Sequence, residues 1–230
     1  MRKVFESYND FINEDKAPDK KLYVLVGPPS IGKSTFITKF NSDDIFVINR
    51  DDIVEQVAKK NNLTYDEMFV NPMQNMEVGD THNLYGEVLE APKWMTWTDK
   101  VFSKIQQLNG QVQQLFNKRV KDAIRSNKDI FVDMTNMNKG SRQKAIDFVK
   151  DNSDEYYKIA VVFEFKGSED IIKKVAKKRA DEYKKKGLSK TIKDEVFDMM
   201  FDKYTEPTTD EGFDEIIHIN TINQLKKLIN

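Results

Sequence analysis

The stretch Tyr23-Val24-Leu25-Val26-Gly27-Pro28-Pro29-Ser30-Ile31-Gly32-Lys33-Ser34-Thr35 decides the fold. Its first four residues suit a buried strand, two glycines bound a loop, and Ser34–Phe40, with apolar Phe36, Ile37 and Phe40, predicts a helix. Gly27, Gly32, Lys33 and Ser34 fit the pattern G-x-x-x-x-G-K-S/T. In such a loop successive backbone N–H groups turn inward as a nest for phosphate oxygens. The following helix adds the positive end of its dipole. Lys33 would reach the β- and γ-phosphates, and the Ser34 hydroxyl would ligate Mg²⁺. A pattern this short also arises by accident. The strand before it and the helix after it separate this one from a chance match. The residues expected at a nucleotide are Gly27, Pro28, Ser30, Ile31, Gly32, Lys33, Ser34 and Thr35.

Composition bounds the rest. With 230 residues the chain can build one substantial α/β domain and a large core. Hydrophobic residues make up 39% and charged residues 33%, which implies a soluble protein with a heavily ionised surface. A net charge of −1 argues against general adhesion to nucleic acid but leaves room for a local basic groove. The absence of cysteine excludes disulfides, thiolate metal sites and cysteine nucleophiles. Two histidines argue against a histidine-built zinc site. No apolar run approaches ~20 residues, and Met1-Arg2-Lys3-Val4-Phe5-Glu6 lacks an apolar signal core. A cytoplasmic protein without a membrane partner is expected.

Outward from the loop, the chain alternates strands and helices. Val4, Phe5, Tyr8, Phe11 and Ile12 recur at helical spacing, so residues 1–20 predict a helical extension. Ile45–Ile48 reads as a second strand ending at Asn49-Arg50-Asp51-Asp52, with a helix from Ile53 to Lys60. Ligands of open α/β sheets gather at the carboxyl ends of strands, which puts Arg50, Asp51 and Asp52 beside the phosphate loop. A carboxylate there can take a proton from a substrate hydroxyl; it can equally cap the helix. Residues 61–98 carry Pro72, Gly79, Gly86 and Pro92 and little periodicity. Their Met68, Met73, Met76, Trp94, Met95 and Trp97 suit either an adaptable binding surface or a satellite core, and His82 reads as an ordinary packing or surface histidine. Asp99–Ser126 predicts a long helix on Val101, Ile105, Leu108, Val112 and Leu115, with Gly110 a point for a kink or break.

Asp129–Val132 is the third strand, counting the loop motif's own as the first. An acid beyond its end, Asp133, suggests an outer partner of Mg²⁺ or a substrate contact. Thr135, Asn136 and Asn138 offer neutral hydrogen bonds to a polar substrate, or simply turn and cap chemistry. Lys139–Lys150 predicts a helix whose early Arg142 could face the same cleft. Ile159–Phe165 is the most apolar strand, followed by a basic helix to about Lys186. Most of its lysines make a solvated face. Transferring phosphate favours a bidentate guanidinium, and Arg179 is the one arginine in the run. Lys190–Tyr204 predicts a further helix, Ile216–Ile219 a fifth strand, and Gln224–Asn230 a short last helix. The fold class is therefore α/β: a P-loop NTPase fold with a five-stranded parallel sheet flanked by helices, in one domain spanning 1–230.

These motifs, in this order, resemble the polynucleotide kinases of phage and animals. The resemblance covers most of the chain apart from residues 1–20 and 61–98. Ile48-Asn49-Arg50-Asp51-Asp52 is similar to the segment that carries that family's catalytic acid, with Asp51 at the general base. Asp133–Asn138 and Arg142 look like its substrate-meeting segment, and Arg179 falls where its lid arginine lies. Glu206-Pro207-Thr208-Thr209-Asp210-Glu211-Gly212-Phe213 resembles a stretch of the animal enzymes. The resemblance implies transfer of the γ-phosphate of ATP, with Mg²⁺, to the 5′-hydroxyl of a DNA or RNA end. Asp51, Lys33 and Arg179 would be catalytic; Arg50, Asp133, Thr135, Asn136 and Arg142 would meet the substrate. Residues 61–98 would be a substrate-side insertion.

The sequence departs from that family in three places. Val54 stands where the phage enzyme grips the substrate phosphate with an arginine. Val175 and Ala176 replace an Arg-Asn pair, and no Asp-x-Asp-Gly-Thr phosphatase motif is present. One rival therefore keeps the chemistry and changes the acceptor to a hydroxymethylated base in phage DNA, or to a nucleoside or nucleotide sugar as in zeta-toxin-like kinases. A GTPase switch is a second rival, but no glycine has an aspartate three residues before it, and Asn127-Lys128-Asp129 is one residue short of Asn-Lys-x-Asp. A pure nucleic-acid binder has only the basic helix in its favour.

Overall fold

The structure is a computed structural model, and it describes residues 3–5, 20–63, 65, 99–185 and 192–229. In chain order the elements are β1 (Lys3–Phe5), β2 (Lys21–Val26), α1 (Lys33–Ile37), β3 (Ile45–Asn49) and α2 (Arg50–Lys60). Then come α3 (Asp99–Arg125), β4 (Asp129–Asp133), α4 (Lys139–Ile146), a 3₁₀ segment (Asp147–Glu155) and β5 (Tyr157–Phe163). The chain continues with α5 (Glu169–Lys185), α6 (Asp194–Asp202), a short 3₁₀ turn (Thr209–Glu211), β6 (Glu215–Ile219) and α7 (Ile222–Ile229).

Six strands form one sheet in the order β1-β6-β5-β2-β4-β3, every neighbour parallel. All five expected strands are present. The sixth, β1, lies where a helix was expected. Lys3–Phe5 pair with Ile217–Ile219, so hydrogen bonds to the far end of the chain override the helical spacing there. Residues 6–19 and 66–98 lie outside the described residues, and with them the rest of the expected extension, the Met and Trp cluster and His82.

Parallel strands are covered on both faces and read as continuous apolar runs. Leu22, Val24, Leu25 and Val26 are fully buried, as are Ile130–Val132 of β4 and Ala160 and Val161 of β5. Rings tie α1 to the sheet. Phe36 is fully buried and meets Phe163 edge-on at 5.8 Å, while Tyr23 stacks on Phe131 at 4.3 Å. Burial of one such ring is worth about 1.5–3 kcal/mol, which suffices to seat a helix of one and a half turns. That helix stops earlier than expected: the Thr38 hydroxyl returns to the Thr35 carbonyl, and residues 38–40 leave the helix. The long helix α3, by contrast, runs unbroken through Gly110, which sits exposed with open space at its Cβ position.

The chain forms two compact units. The first comprises Met1–Asn49, Val120–Asp181 and Ile192–Asn230, and contains the sheet. The second comprises Arg50–Arg119 and Glu182–Thr191. Its core joins Ile53, Val54, Val57 and Ala58 of α2 to Leu108 and Val112 of α3.

Candidate functional site

The loop from Gly27 to Lys33 leaves the carboxyl end of β2, the central strand nearest the point where the sheet order reverses. Its shape follows from its residues. Ser30 and Gly32 both take positive φ, 64° and 108°, and alternation of this kind turns successive N–H groups toward one concavity. Ile31 between them is fully buried, and its carbonyl accepts a 2.7 Å bond from the buried Thr221 hydroxyl. At the other end, the Gly27 N–H donates to the Thr135 carbonyl at 2.9 Å. A Cβ at Gly27 would come within 3.0 Å of Phe163 Cβ, so only glycine lets β5 pack this closely. The loop is thus pinned to the turns after β4 and β6 and closed against β5.

Lys33 opens α1 and is 8% exposed. Its ammonium folds back on the loop and donates to the Gly27 and Pro28 carbonyls, both at 2.8 Å. The next residue, Ser34, is exposed, and its Oγ lies 3.4 Å from Asp133 Oδ2 at the end of β4. Asn49, at the end of β3, donates Nδ2 to the same oxygen at 3.1 Å. Ser34 and Asp133, distant in sequence, therefore meet at the carboxyl edge of the sheet, while Lys33, next to Ser34 in the chain, is turned back onto the loop. Pro28 supplies a carbonyl to Lys33, and Thr35 is exposed on α1.

Ser34 and Asp133 are oxygen donors, the set that suits Mg²⁺. This ion keeps several waters and takes one or two carboxylates plus substrate phosphates rather than a full protein cage. Among the described residues there is no group of three or more His, Asp or Glu that could hold a metal ion.

The segment after β4 departs from expectation. Asn136 takes φ 47°, a conformation asparagine tolerates better than most residues. It is 1% exposed and turns inward, donating Nδ2 to the Leu25 carbonyl at 2.9 Å. Asn138 caps α4 by accepting from the Ser141 N–H at 2.9 Å. Thr135 is half-buried, with its carbonyl committed to Gly27. Arg142, expected at the substrate, is fully buried. Its Nε and Nη2 grip the Glu211 carboxylate at 2.7 Å each, Nη1 reaches the Thr205 and Asn136 carbonyls, and Nη2 also meets Thr205 Oγ1. All five guanidinium donors of Arg142 are thereby used within the protein, so this side chain braces the fold. Capping accounts for Asn138, and a long-range bond to the Leu25 carbonyl holds Asn136.

The remaining expected residues lie on helices. Arg50 and Asp51 are exposed in the first turn of α2, directly after β3. Tyr65 donates its hydroxyl to Asp51 Oδ1 at 3.3 Å. Arg179 is exposed on α5, whose Ile172 and Val175 are buried in the core. Asn49, Thr221 and Tyr65 carried no signal in the sequence that linked them to the site. Asn49 alone stood inside a motif already singled out.

Among the described residues no helix is long and apolar enough to cross a membrane. Residues 22–207 match a family model described as an AAA domain. No curated protein sequence matches. Among solved structures, a candidate kinase from Chloroflexus aurantiacus J-10-fl is 8% identical, covering 93% of this chain and 94% of that one, with a TM-score of 0.49. A chain of the PezAT chromosomal toxin–antitoxin system of Streptococcus pneumoniae is 10% identical, covering 94% and 87%, with a TM-score of 0.36. The family match begins in β2, takes in the phosphate loop and Asp133, and ends at the Glu206-Pro207 pair. With its parallel sheet and phosphate loop of the P-loop NTPase type, the chain belongs to the AAA domain family.

Proposed function

We propose that this protein is an ATP-dependent kinase that phosphorylates a hydroxyl, the 5′-hydroxyl of a DNA or RNA end, and that the whole chain acts as one kinase domain. The supporting observation is the phosphate loop with Lys33 folded onto its carbonyls and the hydroxyl of the next residue, Ser34, set against Asp133. A triphosphate entering the loop would meet its inward N–H groups. Lys33 would exchange a loop carbonyl for a phosphate oxygen, a stronger charge-assisted contact. Mg²⁺ held at Ser34 would neutralise charge on the β- and γ-phosphate oxygens. Asp51 would take the acceptor's proton, with Tyr65 orienting its carboxylate. Arg179 would supply a guanidinium to the transferring group. Arg50 and Thr135 are the substrate contacts in this reading.

A second reading rests on Val54. It is 1% exposed and packs among Ile53, Val57 and Ala58, where the resemblance has a phosphate-gripping arginine. A site without that arginine favours an acceptor hydroxyl other than the one beside the backbone phosphate of a nucleic-acid end, such as that of a hydroxymethylated base, a nucleoside or a nucleotide sugar.

The test is incubation with γ-labelled ATP, Mg²⁺ and a mixed acceptor set. Label on 5′-hydroxyl oligonucleotides supports the first reading; label on another hydroxyl alone supports the second. Asp51→Asn should cut transfer at least ~100-fold with ATP binding retained. Equal turnover by mutant and wild type would remove Asp51 from the reaction. ATP consumption that no acceptor alters would defeat the kinase reading.

A further inference from the structure

We propose that Asn49 is a positioning residue for the divalent cation, acting through the Asp133 carboxylate. The inference rests on the phosphate-loop reading and extends it to a side chain that the proposed reaction leaves without a task. Asn49 and Asp133 are the last residues of adjacent parallel strands and are Cα partners in register. Strand neighbours in register project to the same face, so the two side chains stand side by side. Asn49 Nδ2 lies 3.1 Å from Asp133 Oδ2, and Ser34 Oγ lies 3.4 Å from that same oxygen.

The convergence on one oxygen has a chemical reason. A hydroxyl that ligates a cation through its oxygen must turn its proton elsewhere, and Asp133 Oδ2 is the acceptor at hand. Each donor on Oδ2 restrains the rotation that would exchange the two carboxylate oxygens. A second donor from the neighbouring strand fixes which oxygen faces Ser34, as outer partners of metal ligands do. A carboxamide suits this task. It donates without adding charge, whereas aspartate would crowd a second carboxylate against the first and leucine would donate nothing. Asn49 is half-buried, so its substitution leaves the fully buried core intact.

The experiment uses the full chain, wild type and Asn49→Leu, with Mn²⁺ as a paramagnetic probe titrated in the presence of ADP. Melting-temperature shifts produced by ADP in EDTA are measured alongside. The expected result is a loss of Mn²⁺ affinity of about tenfold or more, with the ADP shift in EDTA unchanged. A merely structural role would move the metal-independent shift as well. Should Asn49→Leu show no cooperative melt, Asn49→Ala, which carries no donor, reads the same two quantities. Mn²⁺ affinity within about twofold of wild type, in a folded variant, overturns the assignment. A wild type that takes up no Mn²⁺ with ADP overturns the phosphate-loop reading itself, which distinguishes the two failures.

Discussion

The phosphate loop and the Arg142 node both lie in the unit that holds the sheet, and both are built from cations held by oxygen. They differ in what those oxygens are. Lys33 bonds to two carbonyls of its own loop and sits beside exposed Ser34. Those two acceptors are neutral and exchangeable. Arg142 is fully buried, and a carboxylate, two carbonyls and a hydroxyl use every donor it has. A cation with neutral local partners can move to a ligand at small cost. One locked into a buried bidentate ion pair cannot. The lesson is that a basic residue in a motif segment becomes a binding group or a brace according to the acceptors that folding brings to it.

The comparison can be broken most sharply at Glu211. Glu211→Ala should leave the Arg142 charge buried and unpaired and lower unfolding free energy by about 3–5 kcal/mol, read from urea denaturation. A loss under about 1 kcal/mol would show that the node braces nothing. Lys33→Met should do the reverse. Nucleotide-dependent turnover should fall by roughly 10²–10³-fold, while the midpoint of urea unfolding barely moves. A large stability loss with turnover intact would place Lys33 with Arg142 in the structural class.

Gly27→Ala sharpens the contrast from the backbone side. Its methyl would press on Phe163 Cβ at 3.0 Å and Ile31 Cγ2 at 3.1 Å. The expected cost is about 1–3 kcal/mol together with weaker nucleotide binding, since the strain falls on the loop itself. Unchanged binding by calorimetry would mean the loop's shape does not depend on that close packing.

The smallest effect concerns the two ends of β4. Asp133 at the carboxyl end meets Ser34 and Asn49, whereas Asp129 at the amino end accepts the Lys21 N–H at 2.8 Å. Burial raises the Asp129 pKa above its ordinary 3.8, with the Lys21 amide pulling it partly back. The folded chain therefore holds a proton there that the unfolded chain has already released. Stability is lost as pH rises from about 4 through the folded pKa. Asp129→Asn keeps an acceptor for Lys21 and removes the titration. Its stability relative to wild type should rise across that window, measured as unfolding free energy against pH. A flat difference would mean that burial does not penalise this carboxylate.

Much of this was legible beforehand because it is local. A continuous apolar run such as Leu22–Val26 can only be a covered strand, and the spacing of Gly27, Gly32, Lys33 and Ser34 dictates a loop with inward N–H groups and a helix start. Asp133 could be singled out for the same reason: it ends an apolar strand. The misses were the residues whose roles depend on distant partners. Arg142 looked like a substrate arginine until Glu211 and Thr205 arrived beside it, and Asn136 looked like a substrate amide until the Leu25 carbonyl took its proton donor.

The chain by itself determined the α/β alternation, the phosphate loop and the acid ending β4, because periodicity and tight spacing act over a few residues. Tertiary structure alone decided that Lys3–Phe5 join β6 as a sixth strand, that Thr221 ties down Ile31 from 190 residues away, and that Asn49 and Ser34 share one oxygen of Asp133. Those choices turn on which hydrogen-bonding groups meet once the sheet has formed, and no spacing along the chain records them.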